Sequence, residues 1–170
     1  MSNTQEPSNA DPDRPRQQRR GRGDRVTRRQ AARAADIAPK TERTLVAVPE
    51  DAARLARAVM RMTEQETFVA LYLTVRNTLI GSPHVVAIGS LTSVEVHPRD
   101  VFRGAIAANA AGIVLLHNHP SGDPTPSAED VELTRRLKAC GELLGIPVVD
   151  HVVVTADRHV SIAEVLGGKL

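Results

Sequence analysis

The apolar positions of this chain fall into short blocks separated by turn formers, and the period changes from block to block. "VPEDAARLARAVMRM" (48–62) has Pro49 at a helix start and acidic residues in the first turn. Leu55, Val59 and Met62 are spaced to share one face, so the pattern predicts a helix with those three inward. "TFVALYLTV" (67–75) is β-branched and apolar, as a core strand is, and "NTLIGSP" (77–83) reads as a turn. "HVVAIG" (84–89) and "LTSVEVH" (91–97) predict short strands flanking Gly89, and Pro98 opens a second helix in "PRDVFRGAIAANAA". "GIVLLHNH" (112–119) predicts a buried strand. "SAEDVELTRRLKACGELLG" (127–145) predicts a third helix with Val131, Leu137 and Leu144 inward and Gly145 as its stop. "IPVVDHVVVT", a turn at "ADRH" and "VSI" predict a closing hairpin. Helices interleaved among strands indicate a mixed α/β (α+β) fold, and no internal repeat is visible.

Ahead of residue 45 this patterning stops. "DRPRQQRRGRGDRVTRRQAARAA" has almost no large apolar residues and cannot offset the entropy of ordering itself. Residues 1–44 are therefore expected to be a disordered Arg-rich tail, with helical tendency around "RRQAARAADIA", and residues 45–170 the globular domain. The tail carries 11 Lys+Arg against 6 Asp+Glu, a net of +5, while the remainder carries 11 against 14, a net of −3. Two readings of the tail stand side by side: a solubilising segment, or a basic arm making weak contact with nucleic acid. A core of roughly 125 residues buries about two-thirds of its unfolded surface, enough to fold without staples. Cys140 is the only cysteine, so no intrachain disulfide can form. There is no membrane-length apolar run and no signal-peptide core, so a soluble, cytoplasmic protein is expected. Phe68, Phe102 and Tyr72 are the only aromatics, too few for a base-stacking platform.

The chemistry concentrates in "LLHNHPSGDPTPSAED" (115–130). Positions i and i+2 of a strand share a face, so His117 and His119 project together from the strand end, where open sites form in α/β sheets. A loop stiffened by three prolines and turned at Gly122 leads to a helix whose first turn holds Ser127 and Asp130. Two imidazoles and one carboxylate suit zinc, with a fourth position left open, as in catalytic sites. Each residue also has a plainer reading. Ser127 with Asp130 fits a helix capping box, and a histidine at a strand end is commonly structural. The joint spacing, H-x-H, seven residues, S-x-x-D, favours metal. His97, His151 and His159 lack such company and are read as structural.

This spacing resembles the JAMM signature of the JAB/MPN metallopeptidases, and "HNHPSGDPTPS" looks like the RadC branch; the resemblance runs from about residue 45 to 167. It implies the MPN fold, a curved mixed sheet flanked by helices, with one zinc at the strand-to-helix loop. By that resemblance His117, His119 and Asp130 would be the zinc ligands. Ser127 would position the attacking water or stabilise the oxyanion, and the zinc would lower the pKa of water and polarise a scissile carbonyl. RadC proteins usually carry an N-terminal helix-hairpin-helix domain, where this chain has its basic tail. The family also places a catalytic Glu on an earlier strand. Counting back from Gly89, that position holds His84, and the only acidic residues between Leu73 and His117 are Glu95 and Asp100, both past the expected strand. His84 could act as a general base or close the site as a fourth ligand. Two functions follow: zinc-dependent hydrolysis of peptide or isopeptide bonds in a peptide or protein substrate, or a weakly catalytic zinc-binding scaffold associated with DNA repair.

Overall fold

The computed structural model describes residues 44–62, 65–89 and 96–168. The chain divides into two units, residues 1–41 and 42–170, and every element below belongs to the second. The tail expectations fall outside the described residues, as do positions 91–95 of the expected strand 91–97.

In chain order the elements are α1 (Pro49–Val59), β1 (Thr67–Leu73), β2 (His84–Ile88), α2 (Pro98–Ala107), β3 (Gly112–Asn118), α3 (Ala128–Leu144), β4 (Val148–Val154), β5 (His159–Ser161) and the short α4 (Ile162–Val165). The strands form one mixed sheet in the order β2-β1-β3-β4-β5. Only β3 and β4 run parallel, and α3 lies between them in sequence. That is what a parallel pair requires, because a parallel connection must cross the length of the sheet.

The sheet is covered on both faces, which explains why β1 and β3 are apolar runs and not alternating patterns. Phe68, Ala70 and Tyr72 of β1 pack into one cluster with Phe102 of α2 and Leu137 of α3. Val69, Leu71 and Leu73 enter another cluster, with Ala52, Ala53 and Ala56 of α1. The edge strand β2 is exposed at His84, Val85 and Ile88 and half-buried at Val86 and Ala87.

Two inward faces differ from expectation. On α1 Ala52, Ala53 and Ala56 are buried, Leu55 and, just past the helix, Met62 are half-buried against them, and Val59 is 43% exposed. Small side chains let this helix approach the sheet closely, so its large residues move to the sides. On α3 the buried line is Thr134, Leu137 and Gly141, while Val131 is half-buried and Leu144 is 48% exposed. Here the backbone itself makes the contact: a Cβ on Gly141 would lie 2.5 Å from the Ile146 carbonyl oxygen. Gly145 ends the helix as expected, in the left-handed conformation at φ 68°. No described helix is long and apolar enough to cross a membrane.

Candidate metal centre

β3 ends where the site begins. Alternation along β3 turns His117 toward Phe68, whose ring stacks on it at 6.2 Å, and turns Asn118 to the opposite face. The His119 N–H donates to the Val154 carbonyl (3.2 Å), which carries the β3–β4 pairing one residue further and holds His119 beside His117. The loop then reverses: Gly122 adopts φ 81°, its N–H donates to the His119 carbonyl (3.0 Å), and Arg158 donates to the Gly122 carbonyl (2.6 Å). The loop delivers Ser127 as the N-cap of α3.

The capping box and the metal reading turn out to be compatible. Ser127 gives both its N–H (2.7 Å) and its hydroxyl (2.6 Å) to Asp130 Oδ2, while its oxygen accepts the Asp130 N–H (3.1 Å). The cap thus aims the carboxylate. Asp130 Oδ1 lies 3.0 Å from His117 Nε2, Asp130 Oδ2 lies 3.4 Å from His119 Nε2, and the two Nε2 atoms are 3.0 Å apart. A tetrahedral ion with nitrogen and oxygen ligands at about 2.0 Å has ligand–ligand edges of about 3.3 Å. Among the described residues, His117, His119 and Asp130 are the group that could hold a metal ion, and they fit one.

The electrostatics point the same way. Burial pushes the Asp130 carboxyl up, but its bonds with His117, His119 and Ser127 outweigh this and hold it far below the carboxylate range. The His119 imidazole is raised, chiefly by its bond to Asp130 and against burial, with the Asp123 carbonyl and the charges of Asp130 and Glu66 adding. The site attracts positive charge.

Sequence reasoning missed two neighbours. Glu66 lies one residue before β1, and its carbonyl accepts the Gly89 N–H (2.9 Å), so strand geometry continues through it. Phe68 pairs with His117, and continuing that antiparallel register sets Glu66 opposite His119, on the same face. A search for acidic residues confined to positions after Leu73 passes over it; the signal was a carboxylate two residues before a strand's first apolar inward position. The second neighbour is His151, fully buried, whose Nε2 lies 2.8 Å from His117 Nδ1 and whose Nδ1 lies 2.6 Å from Thr134 Oγ1. Burial pushes His151 well below the ordinary imidazole range. It is not in the group that could hold a metal, but it braces a candidate ligand.

His84 begins β2 in register with Ala70, its ring 5.6 Å from that of Tyr72, and it is not part of the group that could hold a metal. His159 pairs with Glu50 (3.2 Å). A separate groove of about 620 Å³ between α2 and α3, lined by Phe102, Ile106, Cys140 and Leu143 among others, contains none of these groups.

The RadC-like JAB domain matches residues 46–167. The UPF0758 protein YsxA of Bacillus subtilis (strain 168) is 50% identical over 123 residues, covering 72% of this chain and 53% of the relative. A UPF0758 protein of Bacillus pumilus (strain SAFR-032) is 48% identical over 122 residues, covering 72% and 54%. The chain spans about half the length of these relatives.

Proposed function

The chain belongs to the RadC-like JAB domain family, and on that premise we propose that it is a zinc-dependent hydrolase of peptide or isopeptide bonds. The observation that carries this reading is the convergence of His117, His119 and Asp130: the two Nε2 atoms lie 3.0 Å apart, with Asp130 Oδ1 3.0 Å from His117 and Oδ2 3.4 Å from His119, so that one ligand atom from each falls within 4.8 Å of the others. Zinc bound there would supply a water activated near neutral pH and an electrophile for the scissile carbonyl. The protein's own groups do the rest. Ser127 spends its hydroxyl proton on Asp130, which makes it the residue that orients this carboxylate. Glu66, across the strand pair from His119, takes the proton from the attacking water and returns it to the leaving amine, which departs poorly without it. His84 competes for that role in sequence, but its ring lies against Tyr72, four positions along β1 from Phe68. The basic tail adds weak, sequence-independent contact with nucleic acid, and a lone cysteine suits the cytoplasm.

Peptide hydrolysis by the zinc-loaded wild type, Glu66→Gln and His84→Ala across pH tests these roles. Glu66→Gln should lower kcat by about 10²–10⁴ with zinc retained, since that is the usual worth of a general base. His84→Ala should stay within about threefold. The reverse pattern would assign the base to His84. A zinc-loaded wild type that cleaves nothing would instead favour a binding module.

A further inference from the structure

Three hydrogen bonds run in series behind the candidate ligands: His117 Nδ1 to His151 Nε2 (2.8 Å), His151 Nδ1 to Thr134 Oγ1 (2.6 Å), and Thr134 Oγ1 to the Asp130 carbonyl (2.6 Å). The chain begins on one candidate ligand and ends on another. Resting on the metal reading above, we propose that His151, anchored by Thr134, is a positioning residue that sets the tautomer of His117 and so presents its Nε2 as a bare lone pair to the ion.

Counting protons gives one assignment. A backbone carbonyl has no proton to give, so the single hydroxyl proton of Thr134 goes to Asp130. The Thr134 oxygen can then only accept from His151, which places a proton on His151 Nδ1. His151 is fully buried, and none of its hydrogen-bond partners is a carboxylate, so the ring is neutral and its Nε2 is bare. A bare Nε2 at 2.8 Å requires a donor, and that donor is His117 Nδ1–H. In a neutral His117 the bare nitrogen is then Nε2, which lies 3.0 Å from both His119 Nε2 and Asp130 Oδ1. His119 is set separately and in the same sense, with Nδ1 donating to the Asp123 carbonyl (2.8 Å). With Nδ1 engaged as a donor in both rings, the two Nε2 atoms are the ones left to face Asp130, and they are the atoms an ion would take in place of a proton. The rings are also locked in orientation, because Phe68 stacks on His117 and meets His151 edge-on at 5.3 Å. Outer partners of this kind fix both the tautomer and the basicity of a ligating imidazole.

The test uses the full chain, stripped of metal and labelled with ¹⁵N-histidine, so that nitrogen–proton couplings report each tautomer. Zinc affinity is measured alongside by competition with a chelator. Thr134→Val keeps the side-chain shape and removes the hydroxyl, Thr134→Ser keeps the hydroxyl, and His151→Phe keeps a ring without an acceptor. Wild type and Thr134→Ser should show His117 protonated at Nδ1 and bind zinc within about threefold of each other. Thr134→Val and His151→Phe should shift His117 toward the Nε2–H form and weaken zinc binding by about 10–100-fold. A merely structural role would lower the stability of these variants without moving the tautomer. The proposal is overturned if His117 in Thr134→Val remains Nδ1–H with zinc affinity within about threefold of wild type, or if wild-type His117 is already the Nε2–H form. A wild type that takes up no zinc would sink the metal reading, while the spectra of the metal-free protein would still decide the relay.

Discussion

Asn118 stands between the two histidines and faces away from them, and its replacement should cost more than any other single change near the site. The side chain is fully buried. Its Oδ1 accepts the Thr67 N–H (2.8 Å), and its Nδ2 donates to the carbonyls of Gln65 (2.9 Å) and Met62 (3.3 Å). In Asn118→Ala the Thr67 donor, at the buried start of β1, is orphaned at a cost of about 1–3 kcal/mol. The two carbonyls are only partly buried and can turn to water, so each lost bond there adds about 0.5–1 kcal/mol. The sum is about 3 kcal/mol, a fall in Tm on the order of 10 °C for a domain of this size. Asn118→Asp should be no milder: it keeps an acceptor for Thr67 but turns a carboxylate toward two carbonyl oxygens. Urea unfolding with an unchanged slope measures the loss. The same bonds tie the chain on either side of the entry to β1, which carries Glu66, so hydrolysis by surviving Asn118→Ala protein should fall while zinc stays bound. A loss below about 1 kcal/mol would mean that water replaces the amide and that Asn118 does not hold this segment.

Purified protein should contain about one equivalent of zinc, and His117→Ala or Asp130→Ala should release it; full occupancy in either variant, by metal analysis, would show that the ion sits elsewhere. Gly141→Ala should destabilise by about 1–3 kcal/mol in thermal unfolding, because the new Cβ would meet the Ile146 carbonyl oxygen at 2.5 Å and backbone must move to clear it. The arginines of residues 14–33 should give the full chain a DNA affinity that falls steeply with salt, and equal binding by a chain beginning at Thr44 would clear the tail of that role.

What could be read from the sequence depended on how far apart in the chain the cooperating residues lie. His117, His119, Ser127 and Asp130 fall within one strand, loop and helix turn, so strand alternation and a capping box suffice to bring them together. The helices and strands were likewise legible, apart from the short α4, because each carries its own start and stop signals. The inward faces of α1 and α3 were not. A rule that turns the largest apolar residue inward fails where a helix comes close enough for Ala56 or Gly141 to be the contact. Glu66 and His151 reach the site only through pairing, Glu66 by the register of β1 on β3 and His151 by the parallel pairing of β4. Register depends on the bulges as well as on the strands, since the pairing shifts between Phe68 and Val69 on one side and between Ile113 and Val114 on the other. Counting back along a single strand from Gly89 assigns the base to His84, because it treats the missing carboxylate as a neighbour in sequence. The ladder offers a carboxylate across strands instead. On the reading proposed above, a base facing His119 from across the sheet would come from the entry to β1, the strand that pairs with β3, where the continued register reaches Glu66.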